Sequence, residues 1–301
     1  MGEAHCIGIV TVTYNSGSVL DGFMASLLAQ AYSDWRLYVI DNASSDDTLE
    51  ILSRHIDGRI HQIQNQENLG VATGNNQGIN AALADGCEAV LLMNNDTEFG
   101  PDLLGDLIAT KARTSADMIV PKMMFFDPKN HIWCAGGRFN RLRGYTSIHC
   151  GEGEPDRGQW DHSGEIEYCP TCCMLVTPET FQRIGLMDDA YFVYWDDSDF
   201  CFRAKKAGLR LYYDHTIRLC HKVSSLTGGS GSAFSRRYYT RNKVYFLLKN
   251  LGWLGLFHVI LFEIFLLVRP DKTRDGWKQR QKAFWEGVRL YRSIFGASES
   301  L

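Results

Sequence analysis

The sequence predicts an α/β protein built on a mostly parallel central sheet flanked by helices. Three observations predict it. Apolar, β-branched or aromatic runs recur at Ile7–Thr13, Trp35–Ile40, Ile60–Gln64 and Ala89–Met93. Helical segments lie between them, over Leu20–Gln30, Thr48–His55 and from Asn68 to about Ala84. The strands then run into polar loops: Thr13–Asn15, Asp41–Asp46 and Asn94–Asp96. Strand–helix alternation is the mark of βαβ units. In such open sheets, ligands bind outside the carboxyl ends of the strands.

The elements follow in order. Ile7–Thr13 (IGIVTVT) suits a strand buried on both faces, and Tyr14–Gly17 supplies turn chemistry. Asn68–Asn76, rich in Asn and Gly, opens the third helix. It has neither GxGxxG spacing nor a Lys-Ser/Thr pair, so the dinucleotide fingerprint and the P-loop both fail. The second half is less regular. Met118–Phe126 and His131–Arg138 read as strands, and Arg141–Gly164, rich in Gly and charge, as a mobile loop or hairpin. Cys172–Val176 reads as a strand and Pro178–Gly185 as a short helix with Pro in its first turn. Tyr191–Trp195 (YFVYW) reads as an aromatic strand. A helix is expected over Phe200–Ala207 and a strand over Leu209–Tyr213, with His221 beyond it.

The chain of 301 residues is 45% hydrophobic and 22% charged, a balance that can bury a core. A net charge of −4 gives no support for a nucleic-acid surface. Nine irregularly spaced cysteines include one CxxC, Cys169 and Cys172, without the second pair a zinc site wants. Reduced, mostly buried thiols in a cytosolic protein are expected. Met1–Val12 lacks the basic start and long apolar run of a secretory leader. Leu251–Val268 is membrane-like but contains His258 and Glu263. It is short for a span, which needs ~20 apolar residues. An amphipathic helix is expected there, lying on a membrane surface or packed on the body.

Three acidic or imidazole-bearing positions could carry chemistry. Asp96 ends Asn94-Asn95-Asp96, where a carboxylate can hold a hard cation and, through it, phosphate; a helix cap or Asx-turn is the ordinary alternative. Asp196-Asp197-Ser198-Asp199 crowds three carboxylates, which raises a pKa toward that of a base; acids at a helix start are also favoured by its dipole. His221 is either a structural histidine or a borderline ligand that Mn²⁺ accepts.

Taken together, these loops resemble family 2 glycosyltransferases of the GT-A fold, a Rossmann-like sheet, over roughly residues 7–225. Ile9–Asn15 is similar to the family's first strand and nucleotide loop, and Val39–Asp46 (VIDNASSD) to its V-D-N-x-S-x-D element. Asn68–Gly78 resembles the segment lining the donor pocket. Asn94-Asn95-Asp96 stands in the place of D-x-D, and Tyr194–Arg203 (YWDDSDFCFR) resembles the E-D-x-D-L-x-x-R element that carries the base. Asn94 departs from the first Asp of D-x-D, and Asp196 from the usual Glu. The nearest patterns are the rhamnosyl- and galactofuranosyl-transferring members.

The resemblance implies a catalytic domain over 1–225, with a nucleotide half of about 1–97 and an acceptor half of about 98–225. A helical, membrane-associated region over 226–301 would follow. It implies an inverting transfer from a UDP- or dTDP-sugar to a glycan hydroxyl in bacterial surface polysaccharide synthesis. Asp41 would read the base, with Thr13, Tyr14 and Asn15 around it. Asn68, Asn76, Asn94 and Asn95 would line the donor site. Asp96 and His221 would hold Mn²⁺ or Mg²⁺. Asp197, beside Asp196, would take the acceptor's proton, and Trp195 would stack on the acceptor sugar or pack in the core. The basic run Ser235–Lys249 beside the apolar helix suits anionic head groups or a polyprenyl diphosphate at the cytoplasmic face of the inner membrane. A non-catalytic nucleotide-sugar or glycan-binding module on the same fold is the competing reading.

Overall fold

A computed structural model describes residues 6–223, 232–268 and 274–296. The expected domain boundary at 225/226 lies outside them. The first half alternates β1 (Ile7–Thr13), α1 (Gly17–Leu28), β2 (Trp35–Asp41), α2 (Thr48–Ser53), β3 (Ile60–Gln64), α3 (Val71–Ala84) and β4 (Ala89–Met93). Strands β1, β2, β3 and β4 pair in parallel. Ile7, Ile9, Val10, Val90, Leu91 and Leu92 are fully buried, because helices cover both faces.

After β4 come β5 (Thr97–Phe99), α4 (Leu103–Thr114), β6 (Met118–Phe125), β7 (Ile132–Cys134), β8 (Gly137–Asn140), β9 (Thr146–His149) and β10 (Gly164–Ile166). The chain continues through β11 (Cys173–Val176), α5 (Pro178–Ile184), α6 (Asp196–Lys206), β12 (Leu211–His221), α7 (Ala233–Val268) and α8 (Arg274–Phe295). Among the described residues, ten strands form one sheet in the order β10-β12-β6-β11-β4-β1-β2-β3, with β5 added to β12 and β7 to β6. β11 runs antiparallel to both neighbours, and β12 is parallel to β6. The α/β class and the helix-flanked central sheet are as expected, and β1–β4 are parallel, but the described sheet as a whole is mixed, with antiparallel pairings at β5, β7, β10 and β11.

The second half differs from the sequence expectation in several places. Helix α4 and strands β5 and β10 were not foreseen. His131–Arg138 is two strands, because the chain turns at Ala135–Gly136 and β8 leaves to pair with β9. Within Arg141–Gly164, Thr146–His149 forms β9, which pairs as a separate ribbon with β8, a strand that precedes the stretch. Tyr191–Trp195 is not a strand. Tyr194 and Trp195 both take left-handed backbone angles (φ 64° and 69°) and feed directly into α6. Helix α6 thus starts at Asp196, earlier than expected, so its acids occupy the first turn and its Arg203, Lys205 and Lys206 the last. That arrangement suits the helix dipole at both ends.

The basic run Ser235–Lys249 also departs from expectation. Instead of facing lipid, its cations are largely spent inside the protein. Lys249 sits 2.7 Å from Asp188 and 2.8 Å from fully buried Asp199. Arg241 donates to the carbonyl of Ala190 and Lys243 to that of Arg143. Burial alone would raise the Asp188 carboxyl, but Lys249 outweighs it and holds the group below the usual range. Asp199 also accepts from Arg203 and from Asn250. Removing one partner of a buried pair strands its charge, which costs more than the pair contributes. Lys249→Met should therefore lower stability by about 3 kcal/mol, read as a lower urea midpoint at unchanged m-value.

Candidate active site

Three loops meet at the carboxyl ends of β1, β2 and β4. Asp41 ends β2, where its carboxylate accepts from Thr13 Oγ1 (2.8 Å), from the Ser44 amide (2.9 Å) and from Ser44 Oγ (2.5 Å). A carboxylate offers about four acceptor positions, so one remains. Asn15 braces the same loop: its side chain accepts from the Ser45 amide at 2.8 Å, and its φ is 51°. Tyr14 beside it is 44% exposed, enough to meet a planar base. Asn68 Oδ1 accepts from the Gly70 amide and from Asn42, closing the wall of the cleft. Gly70 is required there, since its φ is 87° and a Cβ would lie 2.4 Å from the Phe192 carbonyl oxygen.

At the end of β4, Asn94 is exposed, while Asn95 is buried and donates to the Val12 carbonyl at 2.7 Å. Asp96 is almost buried, and its Oδ1 lies 3.0 Å from His221 Nε2. The sheet makes this meeting: β5 pairs antiparallel with β12, placing Thr97 opposite His221. His221 Nδ1 is buried with no hydrogen-bond partner.

At the head of α6, Asp197 accepts from Tyr168 Oη (2.6 Å) and from the Ser198 amide (2.6 Å). Burial raises its carboxyl above the ordinary range, against the pull of those two donors. Asp196 is pushed up to about 8, by burial first and by the charge of Asp197 second. Burial and Asp197 also raise the Tyr168 hydroxyl, so it keeps its proton and donates. The bulky left-handed pair Tyr194–Trp195 that presents these acids is strained, by roughly 1–3 kcal/mol per residue. Asn242 offsets the strain by donating to the carbonyls of Val193 (2.8 Å) and Tyr194 (2.9 Å).

A row of rings joins the two acidic centres. Trp133 packs edge-on against His221, with centroids 4.2 Å apart, and against His149 at 5.0 Å. His149 stacks on Tyr168 at 5.8 Å, and Tyr168 holds Asp197. Burial depresses the His149 pKa, opposed by the charges of Glu152 and Asp197. Asp96 and Asp197, distant in sequence, are thus ends of one contiguous wall. Neither of two surface clefts is lined by Asp96, His221, Tyr168 or Asp197: one lies around Ile108, Asp117 and Glu179, and the other includes Glu98 and Cys220 of the β5–β12 ladder.

Of the two roles expected for Trp195 the structure shows core packing, and the donor-site role expected for Asn76 is corrected. Trp195 is only 3% exposed and packs on Tyr239 and Phe246, so it has no face to offer a sugar. Asn76 is buried with its amide fully engaged: it accepts from the Met187 amide and donates to the Met187 carbonyl and to Asp189. It holds the 187–189 loop against α3 and reaches no ligand. Tyr168, His149 and Trp133 escaped the sequence reading. They lie in the irregular 127–172 stretch, where no periodicity or motif marks them.

The fold is shared with solved structures. GalNAc-T7 with UDP, GalNAc and Mn²⁺ superposes with a TM-score of 0.67 at 12% identity, covering 100% of this chain and 58% of that one. S. aureus TarS 1–349 in complex with UDP gives 0.59 at 15% identity, over 98% and 91%. This places the fold in the GT-A class. The family model for Glycosyl transferase family 2 matches residues 8–175, and the chain belongs to that family. It is 25% identical over 219 residues to the low-salt glycan biosynthesis hexosyltransferase Agl10 of Haloferax volcanii, covering 71% of this chain and 66% of that protein. It is 24% identical over 266 residues to the N-acetylglucosaminyl-diphospho-decaprenol L-rhamnosyltransferase of Mycobacterium tuberculosis, over 81% and 85%. The dTDP-rhamnosyl transferase RfbF of Shigella flexneri matches at 24%, over 80% and 79%. The chain is a glycosyltransferase of this family.

The raised Asp196 gives a pH test. Its folded pKa of about 8 lies above its ordinary value of 3.8. The folded state therefore holds a proton that the unfolded chain has lost between those limits. The stabilisation is complete below pH ~4 and is lost as pH rises through ~8. Asp196→Asn should flatten that slope, gaining thermal stability relative to the native protein as pH rises from 4 to 8.

Proposed function

We propose that the protein transfers a sugar, with inversion, from a UDP- or dTDP-sugar to an acceptor hydroxyl, with Asp197 as base. The observation that carries the reading is the ring-lined wall running from Asp96–His221 to Tyr168–Asp197. One end has the chemistry to grip a diphosphate through a cation, and the other has the chemistry to take a proton.

Asp41 has one acceptor position left, which suits the N–H of a pyrimidine edge, while Tyr14 packs on the ring. Asp96 and His221 fit a divalent cation: a hard carboxylate and a borderline imidazole sit adjacent, and the diphosphate supplies further oxygens. Mn²⁺ or Mg²⁺, when bound, offsets charge on the departing diphosphate. Asp96 and His221 alone would supply two ligands, fewer than a hard divalent cation takes. Affinity for the ion alone should therefore be weak and should rise with nucleotide present.

Asp197 is favoured over Asp196 as base because it is less buried and is aimed by Tyr168. Two adjacent carboxyls in low dielectric do not both ionise readily. Asp196, pushed up to about 8, retains the proton at neutral pH and leaves Asp197 charged. Asp197 then accepts the proton of the attacking hydroxyl, and attack from the far side of the anomeric carbon inverts it.

The relatives' names support rhamnose as the sugar and a polyprenyl-diphosphate-linked glycan as the acceptor. The reading extends this to bacterial surface polysaccharide synthesis, with the reaction at the cytoplasmic face of the inner membrane. A donor screen by nucleotide release, with and without Mn²⁺, tests the reading; no turnover with any donor would favour a binding module instead. Asp197→Asn should cut kcat by roughly 10²–10⁴-fold while nucleotide affinity stays unchanged. Asp96→Ala should weaken UDP or dTDP binding only when Mn²⁺ is present, measured by calorimetry.

A further inference from the structure

We infer that the C-terminal helical hairpin docks in the plane of an anionic lipid bilayer without crossing it. Helix α7 is broken at Gly252 (φ 53°, ψ −127°), which separates two segments of different character. Before the break, Val244, Tyr245, Phe246 and Leu247 are buried in the body. After it, Trp253, Phe257, Ile260 and Ile264 are 88%, 55%, 49% and 50% exposed. Their spacing of four, three and four residues places them in one stripe. Val259 and Leu266 are buried, and Phe262 meets Phe284 of α8 at 6.4 Å. The segment is therefore apolar on both sides. Helix α8 covers the inner side, and nothing among the described residues covers the outer one. Such a contiguous patch marks an interaction surface.

Charge on the neighbouring helix identifies the occupant. Lys278, Lys282, Arg289 and Arg292 of α8 are exposed in a second stripe, with half-exposed Trp285 among them. Within residues 276–296 the one acid is Glu286, which is committed to Arg237 at 2.8 Å. An apolar row on α7 and a cationic row on the helix packed against it, with a Trp in each, match an acyl boundary under anionic head groups. A second copy pairing through this face would bring only the same cations, a like-charge contact.

Ala233–Leu266 is the one described helix long and apolar enough to cross a membrane by length and composition. Its first half is anchored in the body, however. The remaining stretch, 253–268, is about 24 Å long at ~1.5 Å per residue. A hydrocarbon core is ~30 Å thick. His258 and Glu263 also interrupt the stretch. It lies on a bilayer and does not span one. This docking goes beyond the transfer reaction and holds whatever the sugar or acceptor.

The test is flotation of the full chain with phosphatidylcholine vesicles, with and without phosphatidylglycerol. The protein should float with the anionic vesicles and be released by alkaline carbonate. The exposed double variant Phe257→Glu/Ile264→Glu should lower vesicle binding roughly tenfold or more, with its urea midpoint and nucleotide affinity kept. Lys282→Glu/Arg289→Glu should abolish the preference for anionic lipid. No flotation with anionic vesicles, unchanged flotation of the apolar double variant, or resistance to carbonate would each overturn the inference. So would a lipid-free dimer that the same apolar variant dissociates.

Discussion

The short antiparallel ladder between β5 and β12 is the contact on which the site depends. It sets Thr97 opposite His221 and Phe99 opposite Leu219. The Lys222 amide adds a bond to the Asp96 carbonyl at 2.9 Å. These rungs hold Asp96 against His221, although neither residue is near the other in sequence. Because β12 is itself paired in parallel along its length with β6, the pair is fixed to the sheet and not to a free loop. A preorganised polar centre of this kind needs little rearrangement as charge develops on a leaving group.

The acids of α6 divide into two duties. Asp199 points inward to Arg203 and Lys249, tying α6 to the first part of α7. Asp196 and Asp197 stand at the helix start, where the left-handed Tyr194–Trp195 turn presents them. Asn242 of α7 braces that turn through two carbonyls. The C-terminal helices therefore underpin the carboxylates.

The nucleotide half was legible almost residue by residue. β1, β3 and β4 fall where their apolar or β-branched runs predict; β1 and β4 are buried on both faces and leave a continuous signal, while β3 is partly exposed. The second half was not, and the reasons are local. β5 is three residues long and carries no periodicity. α4 was passed over although Leu103, Leu104 and Leu107 form its buried face. Tyr191–Trp195 has strand propensity, but packing against α7 overrides it, as tertiary context does for aromatic runs. The acidic site residues were visible as motifs at strand and helix ends. Their partners Trp133, His149 and Tyr168 were not, since only the folded sheet brings them together.

The most direct measurement is a crystal structure with UDP or dTDP and Mn²⁺, with the ion located by its anomalous signal. The account predicts one peak within coordinating distance of Asp96 and His221, with the Asp197 carboxylate facing the same cavity. A nucleotide bound elsewhere, or an ion that leaves the Asp96–His221 pair untouched, would contradict it.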